Sequence, residues 1–151
     1  MRKLIGTLAL LAACSSSPKP AMTPAAVSGG EQTGARDAGA AVRAYLAAAK
    51  TQDLQAMSAV WGTPTGAARE TIPRDELDKR ELINMRCLAH DSYAIISDAP
   101  GTGGRRVFAV ALKRRDLTRT TNFYAVPGPS GRWYLESFDP DPIQDLCTRR
   151  S

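Results

Sequence analysis

Apolar and polar positions alternate with two different periods along this chain, and the change from one to the other falls near His90. Val42, Tyr45, Leu46 and Ala49 recur at i, i+3, i+4 and i+7, which places them on one stripe of a helix. Asp37 stands before that stripe as an N-cap candidate, so folding is expected to begin there. Asp53 is expected to cap a second, short helix carrying Leu54, Met57, Val60 and Trp61, which Gly62 and Pro64 stop. A third helix is expected from about Pro73, whose fixed φ suits a first turn. On its wheel Leu77, Leu82, Met85, Leu88 and Ala89 share a broad face, and Ile83 and Cys87 point to a second flank. Beyond His90 the runs SYAIIS, RRVFAVALK, TRTTNFYAV and RWYLESF are rich in β-branched and aromatic residues and are separated by turn-forming clusters. Helices first and strands afterwards predict an α+β fold, with N-terminal helices packed on a curved antiparallel sheet of about four strands.

The first 35 residues follow neither period. Arg2 and Lys3 form a positive head, Leu4 to Leu11 is apolar apart from Thr7, and the small residues Ala12 and Ala13 precede Cys14. Head, apolar run and small-residue zone are the three parts of a secretory signal. The apolar run is too short for a bilayer span, which needs about 20 residues. Leu11-Ala12-Ala13-Cys14 resembles the lipobox of bacterial lipoproteins. That resemblance implies a diacylglycerol on the Cys14 sulfur, removal of residues 1–13 and acylation of the new amino terminus with palmitate-type chains. More than one chain makes such an anchor stable. Ser15 in place of Asp after the cysteine implies an outer-membrane destination, with the protein facing the periplasm. Residues 14–35 are dense in Ser, Pro, Gly and Ala, the composition of a flexible tether. Residues 36–151 are then the folded domain.

Charge changes this picture little. The formal net charge is +5, and loss of Arg2 and Lys3 with the leader leaves 18 basic against 15 acidic side chains. So mild an excess does not suggest a nucleic-acid partner.

The element order, together with AVRAYLAAAKTQDLQAMSAVWG, resembles the cystatin-like cone shared by nuclear transport factor and ketosteroid isomerase. The resemblance spans roughly residues 37–138 and implies a cavity between helices and sheet. Tyr45, Trp61, Phe108, Phe123 and Trp133 are the candidate lining, and they are equally the residues that would fill a small core. Isomerases of this fold use an Asp base inside the cavity. Asp98 is expected outside it, at the start of the turn DAPGTGG, so no catalytic residue is carried over.

The remaining candidates are few. With Cys14 committed to lipid, Cys87 and Cys147 are an even pair in an oxidising compartment, and a disulfide stapling the C-terminal segment across the third helix is expected. One His and two Cys are too few for a metal site, and neither metal nor cofactor is expected. His90 beside Asp91 suits a general base on paper, but a His ending a helix more often caps carbonyls. GTGG at 101–104 lacks the lysine and hydroxyl residue of a phosphate loop and reads as a hairpin turn. Arg105, Arg106, Lys113, Arg114, Arg115, Arg119 and Arg132 form a basic run expected to gather several cations at one sheet rim. It reads either as solvated edge protection or as a patch for an anionic partner. Asp139, Asp141 and Asp145 are alternative partners for these arginines or, more weakly, calcium ligands. The functional expectation is a non-enzymatic, membrane-anchored lipoprotein whose domain binds a small apolar ligand or an envelope protein. The alternatives are an isomerase or dehydratase using the cone cavity, and a structural component docking through a basic rim.

Overall fold

The computed structural model of the protein describes residues 32–148, so the leader, Cys14 and most of the tether lie outside the described residues. Helix α1 (Ala38–Thr51) starts where the sequence indicates: the Asp37 carboxylate accepts from the Ala40 N–H at 2.6 Å. Its predicted stripe is buried throughout, joined by Ala38, Ala41 and Ala48. Gln52 ends the helix at φ 59°, and Asp53 immediately caps α2 (Leu54–Val60) through the Ala56 N–H. A hairpin of two-residue strands follows, β1 (Gly62–Thr63) and β2 (Gly66–Ala67), then a single helical turn α3 (Ala68–Thr71). These three pieces have no periodic signature because none is much longer than one period of its own kind.

Helix α4 (Arg74–Cys87) follows Pro73, and its orientation corrects the wheel drawn from sequence. The buried residues are Leu77, Glu81 and Cys87, with Leu88 just past the helix end. Leu82 and Ile83 are 48% and 64% exposed. The stripe facing α1 and α2 thus runs through Leu77, Glu81 and Leu88, about 120° away from Leu82 at 3.6 residues per turn. An acid occupies the place where the hydrophobic count favoured a leucine.

The four remaining strands are β3 (Ser92–Pro100), β4 (Arg106–Arg114), β5 (Leu117–Pro127) and β6 (Trp133–Phe138). They form an antiparallel meander in sequence order, which is the expected α+β arrangement. Gly103 and Gly104, at φ 65° and 78°, sit in the turn joining β3 to β4, so GTGG is a hairpin turn. On β4 Phe108, Val110 and Leu112 alternate inward, and on β5 Thr121, Phe123 and Ala125 do the same. Helix α1 lies against β5 and β6. After β6 a turn at Asp141–Ile143 leads to α5 (Gln144–Thr148), whose Cys147 is bonded to Cys87 on α4. Ile143 and Leu146 are fully buried around that staple.

A second, smaller core surrounds Tyr134, with Ala67 and Val126. Three glycines press their backbones on its ring: a Cβ at Gly34, Gly62 or Gly128 would come within 2.8, 2.8 or 2.5 Å of ring carbons. Gly62 therefore ends α2 and also admits the tyrosine.

Candidate functional site

An apolar hollow that also carries charge is a groove of about 490 Å³ between the start of α1 and the sheet. Ile95, Phe108, Trp133 and Ala38 form its apolar surface, and Asp37, Arg43, Asp98 and Arg106 its charged rim. Size and make-up are those of a small-molecule site: mostly apolar, with a few converging polar groups.

Each rim residue has a local reason to be there. Gly39 in the first turn of α1 leaves room for Arg43, whose Nη1 would lie only 3.0 Å from a Cβ at that position. Asp98 is brought in by a β-bulge. The register of β3 against β4 shifts between Ile95 and Ser97, so Ile95 faces Val110 and Asp98 faces Phe108 on the same side of the sheet. The sequence places Asp98 at the start of a turn, but the strand continues through Pro100, and the extra residue sets the exposed carboxylate on the groove's side of the sheet.

The bonding at the rim is uneven. Arg106 donates from Nε to Asp98 Oδ1 at 2.8 Å, and its Nη2 lies 2.6 Å from the same oxygen. Asp37 receives the Ala40 N–H, lies 3.3 Å from Arg36 Nε and 3.6 Å from Arg43 Nη2. The Ala40 N–H, and then the two arginines, hold its carboxyl below the usual aspartate range. Arg43 has only that loose ion pair and makes no hydrogen bond among the described residues. The indole N–H of Trp133 likewise has no acceptor among them, whereas that of Trp61 donates to the Glu136 carbonyl at 3.1 Å.

The five aromatic residues expected to line one cavity are distributed over three places. Phe108 and Trp133 belong to the groove. Tyr45 and Trp61 border a smaller hollow of about 210 Å³ with Asn84, Leu135 and Phe138. Phe123 is fully buried and stacks on Phe138, with ring centroids 5.6 Å apart.

The basic run is divided as well. Arg105 and Arg106 sit at the start of β4, and Lys113, Arg114 and Arg115 at its far end. Most of them are engaged. Arg105 grips Glu136 with two hydrogen bonds of 2.6 and 2.9 Å, Arg114 donates to the Leu146 carbonyl, and Arg119 donates to Asp145 at 2.6 Å. Arg132 forks onto the carbonyls of Thr33 and Gly34. Asp139 takes the Tyr124 hydroxyl and the Asn122 amide instead of an arginine.

His90 and Asp91 do not meet. Asp91 accepts the Arg115 N–H at 2.6 Å, and His90 Nδ1 lies 2.7 Å from the Leu88 carbonyl. A carbonyl can only accept, so Nδ1 carries the proton and caps the end of α4.

Glu81 is the group that sequence reasoning missed. It is 0% exposed, and neither carboxylate oxygen has a partner among the described residues. Burial, reinforced by Asp78, pushes its carboxyl up to about 7. The available signal was its four-residue spacing from Leu77 on the stripe that ends at Leu88. Close by, Asn84 donates to the Tyr45 hydroxyl at 3.0 Å, and burial pushes that phenol above its usual range.

Comparison with models of protein families, with curated proteins and with solved structures gives no match for this chain. Function is therefore argued from these residues alone.

Proposed function

We propose that the protein is a lipid-anchored component of a bacterial cell envelope whose folded domain works by binding, with the groove beside α1 as its site. The division of the three cysteines carries this reading. Cys87 and Cys147 are bonded to each other across 60 residues, which suits an oxidising compartment. Cys14 stands apart from them, at the end of an apolar run and directly after Leu11-Ala12-Ala13. A cysteine so placed is a lipid acceptor in the family that the motif resembles.

The domain's interior supports binding at the surface over chemistry in an enclosed cavity. Tyr45, Leu46, Met57, Leu112, Phe123 and Leu135 fill the space between helices and sheet. The acid with the most perturbed environment, Glu81, does not line the groove. At the groove rim Asp98 is ion-paired with Arg106, and the lowered Asp37 stays ionised near neutral pH, so Asp37 is not poised to exchange a proton.

Cell fractionation tests the anchor. The full chain is expected in the membrane fraction, released by detergent and not by high salt. Cys14→Ala should move it out of that detergent-dependent pool. Membrane retention of Cys14→Ala equal to that of the natural chain would contradict the proposal.

A further inference from the structure

We infer that the groove beside α1 takes a zwitterionic amphiphile from the bilayer that anchors the protein: an apolar chain on the floor, with a headgroup carrying phosphate and ammonium at the rim. The inference deepens the binding role proposed above and rests on the lipid anchor.

The chemistry comes from what the groove leaves uncommitted. Ile95, Phe108 and Trp133 present an apolar surface that gains from covering by hydrocarbon. Arg43, 49% exposed on its side chain, makes no hydrogen bond among the described residues, and the Trp133 indole N–H lacks an acceptor. Both are donors suited to a phosphate oxygen. Asp98 uses only Oδ1 on Arg106, its Oδ2 has no partner among the described residues, and Asp37 adds a second carboxylate. These are acceptors suited to an ammonium. A wholly apolar occupant would cover those groups without satisfying them, which costs free energy. A purely anionic one would meet Asp37 and Asp98, and a purely cationic one Arg43 and Arg106. The rim holds two ion pairs, Asp98 with Arg106 and the looser Asp37 with Arg43, and a headgroup that carries one charge of each sign can join such a pair and leave neither sign in excess.

The source of the amphiphile follows from where the chain leaves the domain. Trp133 exchanges backbone hydrogen bonds with Ala35, at 2.7 and 2.9 Å, and Arg132 holds the carbonyls of Thr33 and Gly34. The groove thus opens beside the segment that leads back to Cys14. Residues 15–31 separate the two along the sequence. The chain thus enters the domain on the groove's side, the side that the proposed anchor would tie to lipid.

The test uses the full, lipidated chain in nonionic glucoside micelles with Trp61→Phe, which leaves Trp133 as the one tryptophan. The probe is a single-chain phosphoethanolamine lipid with a brominated chain, which quenches a tryptophan it touches. Trp133 should be half-quenched at a mole fraction at least fivefold lower than with brominated phosphoglycerol, alkylammonium or uncharged analogues. Arg43→Gln, at a partly exposed position, should remove that preference while circular dichroism stays unchanged. Equal quenching by all four probes, or a preference for the anionic lipid that survives Arg43→Gln, would overturn the inference. Lipid attachment is scored separately, from the mass of the Cys14 peptide. An acylated protein without selective quenching therefore refutes this inference alone, and an unacylated one refutes the anchor.

Discussion

At the scale of single residues, the most consequential is Glu81, a carboxyl with 0% exposure, no partner among the described residues and a folded-state pKa of about 7. Unfolded, the same group titrates near its ordinary value of 4.5. The folded value is the higher one, so the folded state binds the proton more tightly than the unfolded state. The stabilisation is complete below about pH 4.5 and is lost as pH rises towards 7. A displacement of this size is worth about 3 kcal/mol. Urea midpoints measured from pH 4.5 to 8 should therefore fall for the natural protein and stay flatter for Glu81→Gln, which keeps the shape and removes the titration. Parallel slopes in the two proteins would mean that the carboxyl is not held neutral. Asp37 acts in the opposite sense, its contribution being lost as pH falls below the usual aspartate range, so the difference between the two proteins isolates Glu81.

At the scale of elements, the parts that the chain announces are those with enough length to show a period. Helix α1 with its Asp37 cap, α2 with its Asp53 cap and all four long strands were legible because caps and alternation are local. Three things were not. The orientation of α4 depends on which face α1 and α2 leave open, and a wheel that ranks hydrophobicity prefers Leu82 over Glu81. The face on which Asp98 stands depends on a bulge, whose local trace is only the doubled Ile95-Ile96 that breaks alternation. The β1–β2 hairpin exists to enclose Tyr134, a residue about 70 positions away. That enclosure is testable. Gly128→Ala drives a methyl group into the Tyr134 ring, Gly62→Ala drives one into both that ring and the Gly66 carbonyl, and each should cost about 1–3 kcal/mol in urea unfolding, as overpacked core positions do. Gly103→Ser, where a Cβ meets nothing within 4 Å, serves as a comparison at an open turn. It should cost less, mainly through its φ of 65°. Unchanged stability in both ring-facing variants would mean that Tyr134 is loosely held.

At the scale of the whole molecule, the candidate site was legible in part. Phe108 and Trp133 were named from composition, and Arg106 from the basic run, but no sequence pattern joins them to Asp37 and Arg43 at the start of α1. Only the packing of α1 on the sheet brings these together. The basic run shows the converse, since residues adjacent in sequence are separated by the length of β4 and most are consumed by internal partners. The C-terminal segment is tied to α4 by a disulfide closing about 60 residues, worth about 4 kcal/mol in the chain-entropy model. The central claim is that three cysteines divide two ways, one to lipid and two to each other. Non-reducing peptide mapping by mass spectrometry, on the full chain purified from membranes, tests it most directly. The account predicts an N-terminal peptide that begins at Cys14 and carries acyl mass, and one cross-linked species joining the Cys87 and Cys147 peptides. An unmodified Cys14 still preceded by residues 1–13, or Cys14 found bonded to either of the other cysteines, would contradict it.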